Sequence, residues 1–165
     1  RAVFSRVEFG AGKGVFLSDV EAESAFVHGG LKKDTNFRAN DFITMSGTVF
    51  RKGLTLHPEA LEDGGSQAYA VYPLKPPLDQ ATAFKATIGI DDGGDERGSA
   101  VFMVDLMRNG AWQTVFESPR LVGRPREEQI EVNVDLEDAE KLRLRVDGGS
   151  EISADHAAWG NARLE

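Results

Sequence analysis

Three places in this chain hold side chains able to bind or react. Asp155 and His156 stand together before a strand-like run near the C-terminus, with Trp159 close behind. His57 follows another apparent strand, and binding residues concentrate at such loop ends. Between them Asp91, Asp92, Asp95 and Glu96 form an acidic, glycine-rich loop. Carboxylates and imidazoles each offer directional hydrogen bonds. If the fold brings His57, Asp155 and His156 together, they read as one hydrogen-bonding cluster, which Asp91 or Asp92 can join. The competing reading is that they fix their own loops, because buried polar groups need partners whatever the function. Trp159 is either a platform for a ligand or a core residue, and Trp is highly buried on average. The acidic loop offers oxygen ligands to Ca²⁺ through Asp91, Asp92 and Asp95, although its spacing is not that of an EF-hand. A plain solvated turn is the other reading of it.

Catalysis finds little support. The chain lacks a Gly-x-Ser-x-Gly elbow, a P-loop and a dinucleotide fingerprint. His28, His57 and His156 are its 3 histidines, and none are spaced as a metal-binding His-x-x-x-His pair. With 27 acidic residues, carboxylate pairs are too numerous to single out one for hydrolysis. We therefore expect a protein that is not an enzyme.

Composition narrows the partners. The net charge of -8 argues against nucleic acid and against an anionic membrane surface, both of which need a basic face. Cysteine is absent, which excludes disulfides and thiolate metal sites. No apolar run approaches the roughly 20 residues of a membrane-spanning helix. No signal peptide is visible, and a chain opening on Arg1 reads as a mature or excised product. At 165 residues with 41% hydrophobic content, one packed domain is expected over 1–165, with 1–14 as an extension.

The elements that must position these residues read as strands. Ile130, Val132, Val134 and Leu136 alternate with polar neighbours, as do Leu142, Leu144 and Val146. Phe84, Ala86, Ile88 and Ile90 make a third stripe, and such period-2 patterns mark half-buried strands. The nearly continuous apolar run 101–107 predicts a strand buried on both faces. Asn109-Gly110 predicts a tight hairpin between that run and 112–116. Segments 15–20, 42–50 and 67–74 are further expected strands, and 21–40 a polar surface excursion with at most a short helix. Short strands, many turns and no helical stripe predict an all-β fold, an antiparallel β-sandwich.

Six motifs in order carry a family resemblance. They are Leu17-Ser18-Asp19, then Lys52-Gly53-Leu54-Thr55-Leu56-His57, then Phe84 to Asp91. Gly98-Ser99 leading into Val101-Phe102-Met103-Val104 follows, then Leu142-x-Leu144-x-Val146, and finally His156-Ala157-Ala158-Trp159-Gly160-Asn161-Ala162-Arg163-Leu164. From about Val15 onward the chain resembles the NPCBM domain, also called carbohydrate-binding module family 51. That resemblance implies a jelly-roll or discoidin-like sandwich. It also implies a non-catalytic module that binds a galactose-type glycan, within a larger extracellular or periplasmic protein. It points to His57, Asp91, Asp92, Asp155, His156 and Trp159 as sugar-binding. The chain departs from the family where Ala158 and Asn161 replace carboxylates around Trp159, and where the stretch after His57 is altered. Those departures favour the alternative, a structural or protein-interaction module without sugar binding.

Overall fold

The computed structural model describes residues 14–94, 97–123 and 128–165. The extension expected over 1–14 and the candidate Ca²⁺ ligand Asp95 thus fall, but for Gly14, outside the described residues.

Two antiparallel sheets face each other. In the first, the strands run in the order Gln129–Asp135, Ala83–Ile90, Ala157–Leu164, Gly53–Thr55, Lys32–Lys33, with Val15–Phe16 added to Ala157–Leu164. In the second the order is Ala111–Glu117, Ser99–Arg108, Lys141–Asp147, Ser66–Pro73, Ser24–Phe26. Leu121–Val122 pairs with Ser99–Arg108, and Glu59–Ala60 with Ser66–Pro73. Among the described residues the only helical pieces are the 3-10 turns Leu17–Asp19 and Leu78–Gln80, and no helix is long and apolar enough to cross a membrane.

The alternating stripes meet between the sheets. Phe84, Ala86, Ile88 and Val132 from the first sheet join Phe102, Val104, Leu142 and Leu144 from the second in one core. Burying each large apolar side chain stabilises the fold by about 1.5–3 kcal/mol, the term that holds the two layers together. Tyr72 lies wholly inside while Tyr69, of opposite parity on the same strand, is half-exposed. The Asn109-Gly110 hairpin forms as expected, both residues at positive φ (52° and 76°), the conformation of a two-residue turn that matches strand twist.

Three sequence expectations change. Segment 15–20 is a strand only at Val15–Phe16 before its 3-10 turn. Segment 42–50 is a hairpin, Ile43–Met45 against Thr48–Phe50, because Ser46 and Gly47 turn at φ 51° and 80°. Segment 21–40 contains no helix; its short strands Ser24–Phe26 and Lys32–Lys33 extend an edge of each sheet. The 43–50 hairpin lies on the outer side of the first sheet, where Ile43, Met45 and Phe50 enclose Ala158 in a second small core. A carboxylate at 158 would be buried among these apolar groups.

Two of the recognised motifs clasp each other. Lys52 Nζ donates to Asp19 at 2.8 Å and to Asp34 at 2.7 Å. Asp34 also accepts the Gly53 N–H at 3.0 Å. The Leu-Ser-Asp and Lys-Gly-Leu signatures are thus two sides of one structural tie.

Candidate functional site

Strand register delivers the site residues to one end of the sandwich. Ala157 stands opposite Ile90, and Ala158 opposite Gly89 and Thr55. The residues just beyond, His156, Asp91 and the Leu56-His57 pair, therefore emerge together. Backbone bonds hold them there: Leu56 N–H to Ala157 O at 2.9 Å and Asp91 N–H to His156 O at 2.9 Å. His28 N–H donates to His57 O at 2.9 Å and so brings in a third histidine.

A loop over residues 34–41 adds Phe37. It is pinned to the Gly53–Thr55 strand by Asp34 and by the Thr55 hydroxyl, which donates to Thr35 O at 2.8 Å. Phe37 is half-buried in the middle of the imidazoles, its ring centroid 4.5 Å from His57, 5.1 Å from His156 and 5.8 Å from His28. His28 and His57 are 5.0 Å apart, and His57 and His156 5.6 Å. The three histidines thus meet around an aromatic ring. Among the described residues no group of three His, Cys, Asp or Glu side chains is arranged to hold a metal ion.

Hydrogen bonds set what each imidazole presents. His57 Nδ1 is 2.9 Å from Pro58 O; a carbonyl only accepts, so Nδ1 carries the proton and Nε2 is left as an acceptor. Burial lowers the His57 pKa, and the neighbouring His28 adds to this, so the ring is neutral at neutral pH. His28 Nδ1 stands 3.1 Å from Glu59 Oε1. Arg38, exposed beside Phe37, donates to Gly93 O at 3.1 Å and lies over the acidic loop.

The carboxylates expected at this site do other work. Asp91 is 3% exposed and accepts the N–H groups of Thr44 and Gly93, each at 2.8 Å. Asp92 accepts those of Ser46 and Gly47, each at 2.9 Å. Together they fasten the 43–50 hairpin to the end of the sandwich. Both oxygens of each aspartate are engaged by backbone N–H groups, so the two carboxylates have a structural task at this end of the sandwich. Asp155 is fully buried; its Oδ1 accepts Ser99 N–H at 2.9 Å and its Oδ2 has no partner among the described residues. A Cβ built on Gly148 would come within 2.6 Å of that oxygen and of Ser66 Oγ, so Asp155 lies behind the site, not in it. Trp159 is likewise corrected: fully buried, 5.3 Å from Phe102 and 6.1 Å from Phe84, it has no face to offer a ligand. Asn161 takes a positive φ of 52° and donates its N–H to Lys52 O, away from the histidines.

Of the expected sugar-binding set, His57 and His156 come together, and Asp91 borders them through Gly93. Phe37, Arg38 and Glu59 were missed, and His28 was considered only as a metal ligand. An aromatic residue alone in the polar run 34–41, with Asn36 and Arg38 beside it, was the available signal.

The family model for the NPCBM/NEW2 domain matches residues 13–165. The chain belongs to the NPCBM/NEW2 family. It is similar in structure to the family 51 carbohydrate-binding module of Clostridium perfringens GH95, solved in complex with methyl-galactose. That likeness has 28% identity and a TM-score of 0.77, covering 93% of this chain and 100% of that one. A Clostridium perfringens ZmpB structure combining an M60 catalytic domain with two such modules is also similar, at 28% identity and TM-score 0.73. This chain covers 15% of that protein, so the module there is a small part of a larger polypeptide. The tandem modules of Sp3GH98 from Streptococcus pneumoniae share the fold at 19% identity and TM-score 0.73. No curated protein matches the chain. Its antiparallel sandwich is that of the solved family 51 carbohydrate-binding modules it resembles.

Proposed function

We propose that this module binds a terminal galactose-type sugar, without catalysis, at the end of the sandwich built by His28, Phe37, His57 and His156. The observation that carries the reading is the convergence of these four rings, with half-buried Phe37 among them. The apolar C–H face of a pyranose stacks on an aromatic ring, while its hydroxyls need planar, directional partners. His57 Nε2 and His28 Nε2 accept hydroxyl protons, Arg38 donates, and Glu59 accepts at the rim. The similar module solved with methyl-galactose supports this choice of sugar. Affinity is modest, because each hydroxyl exchanges a hydrogen bond to water for one to protein. The module then serves by concentrating a tethered partner, within a larger exported protein, on a glycan.

A second reading has its own support. His57 and His156 are each only 5% exposed, and both oxygens of Asp91 and of Asp92 accept backbone N–H groups, which suits a structural or protein-interaction module. Calorimetric titration with methyl-galactoside, alongside a glycan array, tests the choice. Saturable binding that Phe37→Ala removes from a folded protein supports the sugar site. Silence across the array from a folded protein favours the interaction module.

A further inference from the structure

The second sheet turns one face away from the core, and that face carries a charge network remote from the histidines. On Ser99–Arg108 the side chains of Phe102, Val104 and Leu106 fill the core, so Met103, Asp105 and Met107 take the outer face. A side chain on such a face is ordinarily wet, yet Asp105 is 0% exposed. Four groups roof it. Thr114 Oγ1 donates to Oδ1 at 2.7 Å and Arg145 Nη2 to the same oxygen at 3.1 Å. Arg143 Nε and Arg145 Nε donate to Oδ2 at 2.7 and 2.8 Å. Burial alone would raise its pKa, but Arg145, Thr114 and Arg143 outweigh it and hold the carboxyl ionised, below the usual range.

This anchoring leaves one guanidinium fork partly open, the Arg143 side chain being 24% exposed. The Arg143 guanidinium lies 4.3 Å over the Trp112 ring. Among the described residues its Nε has a partner and its two terminal nitrogens have none. It is thus a guanidinium fixed by an acid and an indole, with its terminal N–H fork unused. A planar fork matches a carboxylate in bidentate fashion, and fixing it beforehand reduces the entropy lost on binding. On the next strand of the same sheet stands Tyr69, and Phe26, one strand further, stacks on it with centroids 5.8 Å apart and planes at 28°. The Tyr69 and Phe26 strands thus lie roughly 5 and 10 Å across the sheet from the Arg143 strand, room for a second sugar beside one held at the fork.

We propose that this outer face is a second glycan site, taking a uronic acid residue through the Arg143 fork and a neighbouring pyranose on the Tyr69–Phe26 pair. The charge balance fits: Arg143 and Arg145 share one buried carboxylate, which leaves positive charge at Arg143 on a protein of net charge -8. Glu117 and Asp147 stand one and two ranks away, opposite Met103 and Val101. The well-exposed large apolar side chains of this sheet are Phe26 and Val115, on its two opposite edge strands, too scattered for a lasting protein interface. The proposal does not depend on what the histidine end binds.

Tryptophan fluorescence of the full chain, titrated with oligogalacturonate and separately with methyl-galactoside, tests it. The chain has 2 tryptophans and Trp159 is sealed in the core, so Trp112 reports on the face. Oligogalacturonate is expected to shift the emission with a Kd on the order of 1 mM. Arg143→Lys, which keeps the charge and loses the fork, is expected to weaken binding tenfold or more, and Phe26→Ala to weaken it without threatening the fold. Phe37→Ala is expected to leave it unchanged. No uronate binding overturns the proposal. So does binding that survives Arg143→Lys but is lost in Phe37→Ala, or a Trp112 shift of equal affinity with the uncharged methyl-galactoside. Occupation of the face by a protein partner, with no glycan bound, also overturns it.

Discussion

The ring of Phe37 lies 4.5 Å from the imidazole of His57, though the two come from different loops. The contact places an aromatic surface beside a neutral acceptor, the pairing a sugar's two kinds of surface require. Phe37→Ala is therefore expected to weaken methyl-galactoside binding tenfold or more, about 1.4 kcal/mol. Its melting temperature should change little, since the ring is half-exposed. Calorimetry with thermal melting checks both. Unchanged affinity in the variant would remove Phe37 from the site.

His57 and Asp155 make stability depend on pH in opposite directions. Asp155 is raised to about 7, first by burial, from an ordinary 3.8. A carboxyl whose folded pKa is raised contributes stability that is fully present below about 3.8 and lost as pH rises through about 7. His57 is lowered by burial, so its contribution is present above its ordinary 6.5 and lost as pH falls through the folded value. Asp155→Asn is expected to flatten the carboxyl's loss, so that the variant gains on the parent as pH rises from about 4 to about 7. Urea unfolding across that range measures it, and equal slopes for the two proteins would reject the assignment.

Much of the fold was written in local pattern, while the site was not. Alternation at 130–136 and 142–146 specified which faces go inward, because parity on a strand decides burial. Asn109-Gly110 named its own turn through the φ values it tolerates. Ser46-Gly47 was harder, since the turn also depends on Asp92, far along the chain, gripping both N–H groups. The motifs around Asp19 and Lys52 identified the family because they clasp the fold. Asp91, Asp92 and Asp155 looked like ligand groups for the same reason that polar residues near strand ends always do. Only the structure shows that Asp91 and Asp92 hold backbone N–H groups of the hairpin and its neighbours, and that Asp155 is sealed behind Gly148. Phe37 carried no periodic signal, as loops have none.

Asp92 and the 43–50 hairpin give a test that separates support from binding. Asp92→Ala removes the acceptor of two backbone N–H groups, those of Ser46 and Gly47. A loss of about 1–3 kcal/mol of stability is expected, at the lower end because the turn is exposed and water can replace the acceptor. Sugar affinity should stay within about twofold, unlike that of Phe37→Ala, because Asp92 touches the hairpin and not the rings. Denaturant melts and calorimetry on the same variant distinguish the roles. A folded Asp92→Ala protein that no longer binds sugar would return Asp92 to the site.

Gly160 shows why small residues follow Trp159. A Cβ placed there would fall 2.5 Å from the Phe50 ring, so alanine needs the hairpin to shift. Phe50 belongs to the small core with Ile43, Met45 and Ala158, and that core has little room to give. Gly160→Ala is expected to cost about 1–3 kcal/mol, the usual range for overpacking. Combining it with Phe50→Leu should recover part of that loss, a coupling expected of side chains in contact. Urea denaturation of the two single variants and the double variant closes the cycle. Strict additivity would mean that the hairpin does not press on Gly160, and the small residues beside Trp159 would then need another cause.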